Sequence, residues 1–420
     1  MLGYNMSARG FNSDDVLNDF CDEMDKGLAA QDSSLAMIAS YVNADDLIPA
    51  NKPVIVLDAG GTNLRVCTVS FDDNGNVDME HFQKFQMPGI SHELSKKEFY
   101  NTICDYLEPV IDKSDSIGFC FSYPTEITPE KDGKLLYWTK EVKVPEVVGE
   151  YVGAGLLEAL TERGHTGKYI VVLNDTVSAL LAGKAVGEQR RCDGYIGFIL
   201  GTGTNTAFIA KNEDISKVSI STGSQVINVE SGNFACCPQG DLDKAYDEST
   251  SNPRAYSFEK MISGRYLGSV ALVVIKQAAI DGLLSTSATK EIKNISCLET
   301  IDLSIFLENP FNNVAAFKSV EYSTEDRETI YYLILELIDR AAKLTAVNMA
   351  AAVVKSGTGC SPLHPICINV DGSTYHMLYG FRAKCEAYLA DILNKRGFYF
   401  VTIEVENAPI IGTAIAGLVG

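Results

Sequence analysis

Five stretches of this chain set polar side chains among apolar neighbours, at positions where chemistry would need them. Ser122 follows a strand-like run in IGFCFSYPTEI, and Thr139 and Lys140 follow the single tryptophan in KLLYWTKEV. Asn174 and Asp175 stand where the β-branched VVL meets TVSALLAG; Glu230 interrupts INVESGNF, and Glu259 lies in YSFEKMISGRYLG. Each has a plain structural explanation beside the chemical one. Asn, Asp and Thr accept hydrogen bonds from first-turn amides, so helix capping alone would account for Asn174 and Asp175. A surface salt bridge would account for Glu259.

Two glycine turns carry a second kind of chemistry. VLDAGGTNLRVC, 56–67, and FILGTGTNTAFI, 198–209, align Gly61, Thr62 and Asn63 with Gly203, Thr204 and Asn205, 142 residues further on, each between apolar β-rich flanks. Successive amides in such a turn point into one concavity and can cradle phosphate oxygens, with no Cβ to hold the ligand off. The hydroxyls of Thr62, Thr202 and Thr204 would add donors. Neither turn is a Walker loop, because no G-K-[ST] follows, and neither has the third glycine of a dinucleotide fingerprint. Strand rather than helix follows each turn, which argues against a nicotinamide-binding unit. Asp58, ending the strand before the first turn, either holds the water shell of a magnesium ion or caps the turn.

The elements that must position these groups follow from periodicity. Residues 14–48 read as helix from Val16, Leu17, Phe20, Met24, Leu28, Leu35, Met37 and Ile38. VIVLDA and LRVCTVSF read as an antiparallel hairpin pair, and DDNG at 72–75 supplies the next turn. Helical patterns recur at 93–112 and 149–163, strands at 116–122 and 169–173, and helix-rich segments at 255–285 and 325–356. The Ser-, Thr- and Asn-rich 286–324 reads as a loop-bearing excursion; strands follow at 368–373 and 400–406, then the small-residue run APIIGTAIAGLVG. This alternation predicts an α/β fold, and the duplicated strand-turn-strand predicts two similar lobes around a shared cleft.

Composition narrows the partners. The 420 residues carry a formal charge of −20, which repels nucleic acid and anionic membranes. No apolar run approaches the roughly 20 residues that span a bilayer, and the N-terminus lacks a basic start with an apolar core, so a cytoplasmic protein is expected. Eleven cysteines without a C-x-x-C read as reduced thiols, and five histidines show no zinc-ligand spacing. No protein metal site is expected; a metal would arrive bound to a nucleotide.

In order, the stretches read D-x-G-G-T-N-x-R, F-S-[FY]-P, W-T-K, N-D-T, G-T-G-x-N, I-N-x-E and E-K-M-I-S-G-x-Y-L-G. This series resembles the hexokinase family, including glucokinases of the same type, from about residue 50 to 420. The resemblance implies the actin-like ATPase (ribonuclease H-like) fold, a small and a large α/β domain closing on a cleft. It implies 51–173 as the small domain with 407–420 returning to it, 174–406 as the large domain, and 1–50 packing on the latter. It implies ATP with Mg²⁺ as cosubstrate and transfer to the 6-hydroxyl of a hexose, D-glucose first, with mannose and fructose as further acceptors. The partners are then the hexose and ATP alone, in a monomer or homodimer.

Carried over by position, Ser122, Thr139, Lys140, Asn174, Asp175, Asn205, Glu230 and Glu259 would ring the sugar. Its hydroxyls both donate and accept, which suits carboxylates and amides. Asp175 would be the general base, and Lys140 would lie near the transferred group. Asp58, Gly60, Gly61, Thr62 and Asn63, with Arg65 behind them, and Gly201, Thr202 and Gly203 would grip the phosphates. Gly372 and Ser373 match the segment beside adenosine, and the 300–304 region, which the family also uses, is too divergent to assign.

Departures from the pattern are specific. Where the family often reads E-W-G-x-F-G, this chain has Glu230, Ser231, Gly232, Asn233, Phe234 and Ala235, and Arg265 replaces a common lysine. The lost aromatic bears on sugar selectivity more than on catalysis. A non-catalytic sugar sensor of the same fold is the alternative, against which Asp175, Lys140 and both phosphate turns speak.

Overall fold

The computed structural model describes residues 1–420 except 44–45, 140–141, 188–189, 312–316 and 318–321. Its strands are β1 Ile38–Asn43, β2 Val54–Ala59, β3 Asn63–Phe71, β4 Val77–Gln86, β5 Ser116–Phe121, β6 Thr125–Ile127, β7 Gly133–Leu135, β8 Tyr169–Leu173, β9 Gly194–Leu200, β10 Thr204–Lys211, β11 Ser224–Asn228, β12 Ile366–Asp371 and β13 Phe400–Ile403. Its α-helices are α1 Ser13–Leu28, α2 Lys96–Leu107, α3 Val152–Glu162, α4 Asp175–Gly187, α5 Asp241–Ser249, α6 Ser257–Ile262, α7 Leu267–Ile280, α8 Thr286–Lys293, α9 Thr300–Glu308, α10 Thr324–Ser356, α11 Ser373–Met377, α12 Phe381–Asn394 and α13 Ala408–Val419.

Two mixed sheets form the lobes. The first runs β4-β3-β2-β5-β8, with β2, β5 and β8 parallel and β4, β3 and β2 antiparallel. Every residue of β2 is buried, as a central strand covered on both faces must be. Phe99, Ile103 and Leu107 of α2 and Leu156 and Leu160 of α3 pack with Phe119 on one face. The second sheet runs β1-β11-β10-β9-β12-β13. Its outer face lies under α1, α10 and α12, where Phe198, Phe208 and Ile227 join Phe20, Leu344 and Leu389.

Helices α4 and α13 fill the space between the lobes, and the small residues of α13 explain how. A Cβ on Gly412 would lie 1.8 Å from the Ser178 carbonyl oxygen of α4, and one on Gly118 of β5 would lie 2.3 Å from that of Thr413. The hydroxyls of Ser178 and Thr413 meet at 3.0 Å. The terminal small-residue run is thus a helix wedged against one lobe's helix and the other lobe's strand. Among the described residues no helix is long and apolar enough to cross a membrane.

Two sequence readings change. The helix expected over 14–48 stops at Leu28, and β1 follows. Glu23 accepts from the Ser34 amide at 2.8 Å and holds the intervening turn, Leu35, Met37 and Ala39 are buried, and β1 begins just after the left-handed Met37. The expected excursion at 286–324 contains α8 and α9. Ser285, just before it, accepts from the Ala288 amide, and Asp302 within it closes a capping box with Glu299, while Ala288, Ile292, Leu303 and Phe306 turn inward; 312–316 and 318–321 of the excursion lie outside the described residues.

Candidate functional site

Both glycine turns join antiparallel strands, β2 to β3 and β9 to β10, though not in the same register. Ala59 pairs with Leu64 in the first and Leu200 with Thr204 in the second, so the first turn is one residue longer. In the first turn Gly60 N–H donates to Asn63 O at 3.0 Å, and Tyr123 Oη donates to Gly60 O at 2.8 Å. A Cβ at Gly60 would meet only Asn63 O, at 3.6 Å, so the turn presents an open face. Thr62 is exposed, and its hydroxyl accepts from Asn63 Nδ2 at 3.0 Å. Asp58 and Arg65 face each other across the β2–β3 pair and form an ion pair, with Asp58 buried. Ser122 is tied beside this turn, its amide donating to Ala59 O at 3.2 Å.

Three segments build the second turn. Gly201 O accepts from Gly264 N–H at 2.9 Å and from the Thr374 hydroxyl at 2.8 Å, and Thr202 O accepts from Arg265 N–H at 3.2 Å. Gly372 has φ +117°, and a Cβ there would lie 2.3 Å from Leu200 O. Glycine is therefore required for the D-G-S-T segment to lie against the turn. Thr202 is exposed and available. Thr204 is not: its hydroxyl donates to Ile199 O at 3.0 Å and its amide to Glu259 Oε2 at 2.9 Å, which removes it from the expected phosphate donors. Alternation explains this, because Thr204 opens β10 with its side chain inward.

The remaining polar residues converge from both lobes. Asn174 Oδ1 accepts from the Thr176 amide at 2.8 Å, so Asn174 performs the capping, and Asp175 begins α4 with Thr176 Oγ1 as a weak donor at 3.3 Å. Asn205 Nδ2 donates to Asn228 Oδ1 at 2.7 Å and to Glu230 Oε1 at 3.2 Å, while Asn228 Nδ2 donates to the same Oε1 at 2.8 Å. Glu230 is left-handed, with φ 58° and ψ 46°, a conformation a non-glycine residue keeps where its surroundings impose it. Asn174, Asn228 and Glu230 line one crevice with Tyr123, Thr125 and Ser40. Thr139 is half-buried beside Trp138, whose Nε1 donates to Val144 O at 2.6 Å; Lys140 lies outside the described residues.

Several participants escaped the sequence reading. Asn228, in the I-N-x-E motif, ends β11 and supports both Asn205 and Glu230, and its place two residues before Glu230 was the available signal. Ser231, in place of the usual aromatic, is fully buried; its hydroxyl accepts from Thr206 Oγ1 and from Asn348 Nδ2, both at 3.1 Å. The substitution therefore turns inward to a polar contact with α10.

Electrostatically the cleft floor is acidic. Burial pushes the Asp58 carboxyl up from its ordinary value, opposed by Arg65, and the charge of Asp175 pushes it further. Glu230 keeps part of its surface open to the crevice, yet enclosure of its carboxyl is the first cause of an upward shift, with Asp175 adding to it and Asn228 and Asn205 opposing. Asp371, at the end of β12, is raised by burial and by Asp175, against the Gly372 amide. One carboxylate, Asp175, is thus felt by Asp58, Glu230 and Asp371. Among the described residues no cluster of three or more metal-ligating side chains is assembled.

Two family models match, both described as Hexokinase, over residues 195–419 and 7–185. Hexokinase-7 of Oryza sativa subsp. japonica is 30% identical, over 92% of this chain and 88% of its own length. Hexokinase-1 of Schizosaccharomyces pombe is 28% identical, over 95% and 86%. A solved hexokinase from Schistosoma mansoni complexed with glucose superposes with a TM-score of 0.77 at 25% identity, covering 97% of this chain and 96% of that one. A ROK hexokinase from Thermus thermophilus, at 14% identity and a TM-score of 0.53, covers 87% of this chain and 97% of its own and shares the fold alone. The two lobes are those of the actin-like ATPase fold.

Proposed function

Because the chain belongs to the hexokinase family, which phosphorylates hexoses with ATP, we propose that its preferred acceptor is D-glucose, phosphorylated at the 6-hydroxyl, with mannose and fructose as further acceptors. The observation that carries this reading is the junction at Asn174 and Asp175. Asn174 lines the crevice with Asn228 and Glu230, while the neighbouring Asp175 acts electrostatically on Asp58 and Asp371 beside the two glycine turns. An acceptor hydroxyl and a terminal phosphate would meet there.

Asp175 is the general base of this reading. Capping of α4 falls to Asn174, which leaves the Asp175 carboxylate for the sugar at the start of the helix. As the 6-oxygen approaches the γ-phosphorus, its bond to phosphorus forms, the bridging bond to ADP breaks, and the hydroxyl proton passes to Asp175. In a loose phosphoryl transition state that proton leaves late, so the base chiefly orients the nucleophile. Ser122, Thr139, Lys140, Asn205, Glu230 and Glu259 complete the ring around the hexose.

The turns at 60–63 and 201–203 hold the phosphates through amides other than those of Gly60 and Gly201, which close the turns themselves, and Gly372 and Ser373 face the nucleoside. The hydrogen bonds of Ser304 Oγ to Met377 O at 3.3 Å and of Tyr379 N–H to Ser304 Oγ at 2.9 Å bring α9 beside this segment, which supports the 300–304 region as part of the nucleoside wall. Magnesium carried by ATP would supply positive charge against the developing phosphate charge, and the buried Asp58 and the partly buried Asp371 would hold its hydration shell. We assign 51–173 with 407–420 to the smaller lobe and 174–406 to the larger, and read the protein as cytoplasmic. A coupled assay of ADP release with glucose, mannose, fructose, glucosamine and N-acetylglucosamine tests the acceptor, and a preference for any other of these over glucose would overturn it.

A further inference from the structure

We propose that Tyr137 and Tyr256 form a latch between the lobes, beside the segment that carries Glu259, and set how long the sugar is held, an inference that rests on the hexokinase reading. The two hydroxyls lie 2.6 Å apart, although 119 residues separate them in sequence. One comes from each lobe. Tyr137 immediately precedes Trp138 and Thr139, and Trp138 packs edge-on against Phe99, Phe121 and Tyr123, which fixes Tyr137's segment to the core of the first sheet. Tyr256 immediately precedes α6 and stands three residues before Glu259.

The Tyr256 backbone is left-handed, with φ 55° and ψ 37°, and Arg254 two residues earlier has φ 67°. Bulky residues keep such angles only where the surroundings over-determine them. A buried ion pair does so here. Lys260 pairs with Asp247 and donates to Asn252 O at 2.7 Å, while Asp247 Oδ2 accepts the Arg254 amide at 2.7 Å. The Tyr256 ring is thereby held beside the sugar-facing carboxylates, and its phenol is pushed up from its ordinary value by burial, by the Tyr137 contact, and by Glu259 and Glu230. It remains a hydroxyl able to bond across the cleft.

Tyr137 is 46% exposed, so this bond adds little to folding and can open with the lobes. Its effect falls on closure. A sugar enclosed behind the pair leaves only when the bond breaks.

The test uses the full chain as wild type, Tyr137→Phe, Tyr256→Phe and the double variant. Glucose dissociation is followed by the fluorescence of Trp138, the only tryptophan, which adjoins the latch. Release is expected to accelerate about three- to tenfold in each single variant, the worth of one neutral hydrogen bond, with a matching rise in hexose KM and no further change in the double. The KM for ATP and the Tm should not move. Unchanged release in both single variants, or effects that multiply in the double, would overturn the latch. If the wild type shows no hexose-dependent turnover, the hexokinase reading fails, and the latch is read on the sugar-free protein. There, small-angle scattering should find the double variant more expanded than wild type, and equal radii of gyration overturn it.

Discussion

The backbone amide of Thr204 donates to Glu259 Oε2 at 2.9 Å, so the second glycine turn and helix α6 share one carboxylate. A Cβ on Gly203 would stand 2.6 Å from that same oxygen. The group expected to bind a sugar hydroxyl therefore also sets where the proposed phosphate turn lies. Glu259→Ala should raise the KM for hexose and for ATP together, each about ten- to a hundredfold, the range for a hydrogen bond to a charged acceptor. Glu259→Gln, which keeps an acceptor oxygen, should spare most of the ATP effect. Two-substrate kinetics decide, and a rise confined to the hexose would show that the turn stands without Glu259.

Asn174 caps α4, and on the proposed reading Asp175 is left as the base. Asp175→Asn should lower kcat about a thousandfold or more while glucose affinity, measured calorimetrically, changes less than tenfold. Asn174→Ala should lose about 1 kcal/mol of stability through the abandoned Thr176 amide, seen as a lower denaturation midpoint. Normal turnover in Asp175→Asn would remove it from the mechanism.

On the proposed reading Glu230 trades stability for hexose binding. Its folded pKa lies above the ordinary value, so its contribution to stability is complete below the unfolded pKa and is lost as pH rises through the folded pKa. At pH 7 the ionised group is a cost, and Glu230→Gln, whose amide oxygen still accepts from Asn205 and Asn228, should raise the Tm while hexose affinity collapses. The gain should shrink toward acid pH. In the wild type, hexose affinity should weaken as pH falls through a range above the ordinary glutamate value. A lower Tm for the variant at pH 7 would contradict this assignment of cause.

Gly372 makes the nucleotide side testable without touching the sugar. At φ +117°, with a Cβ 2.3 Å from Leu200 O, alanine must displace the D-G-S-T segment from the second turn. Gly372→Ala should raise the KM for ATP at least tenfold and leave glucose binding in the absence of nucleotide within twofold. Equal losses for both would mean the lobe is disrupted as a whole.

How far residue types could be read depended on whether local chemistry or partners decided the outcome. The glycine turns were legible because β-branched flanks and G-T-N are local, and β2–β3 and β9–β10 are hairpins. Thr204 was misassigned because its strand face, inward, is a matter of register. The end of α1 was missed because Glu23 stops it through a side chain reaching Ser34, a contact eleven residues long. Asp302 reads as loop in the sequence because capping residues and loop residues are the same types. Asn228 and the Tyr137–Tyr256 pair depend on chain segments brought together only by the fold.

The most direct measurement is a two-dimensional ¹H–³¹P correlation spectrum of the product formed from glucose and ATP. A cross-peak from the new phosphoester to the protons on carbon 6 is predicted, present with wild type and absent over the same time with Asp175→Asn. Phosphorus correlated to another sugar position, or ADP appearing with inorganic phosphate and no phosphoester, would contradict it.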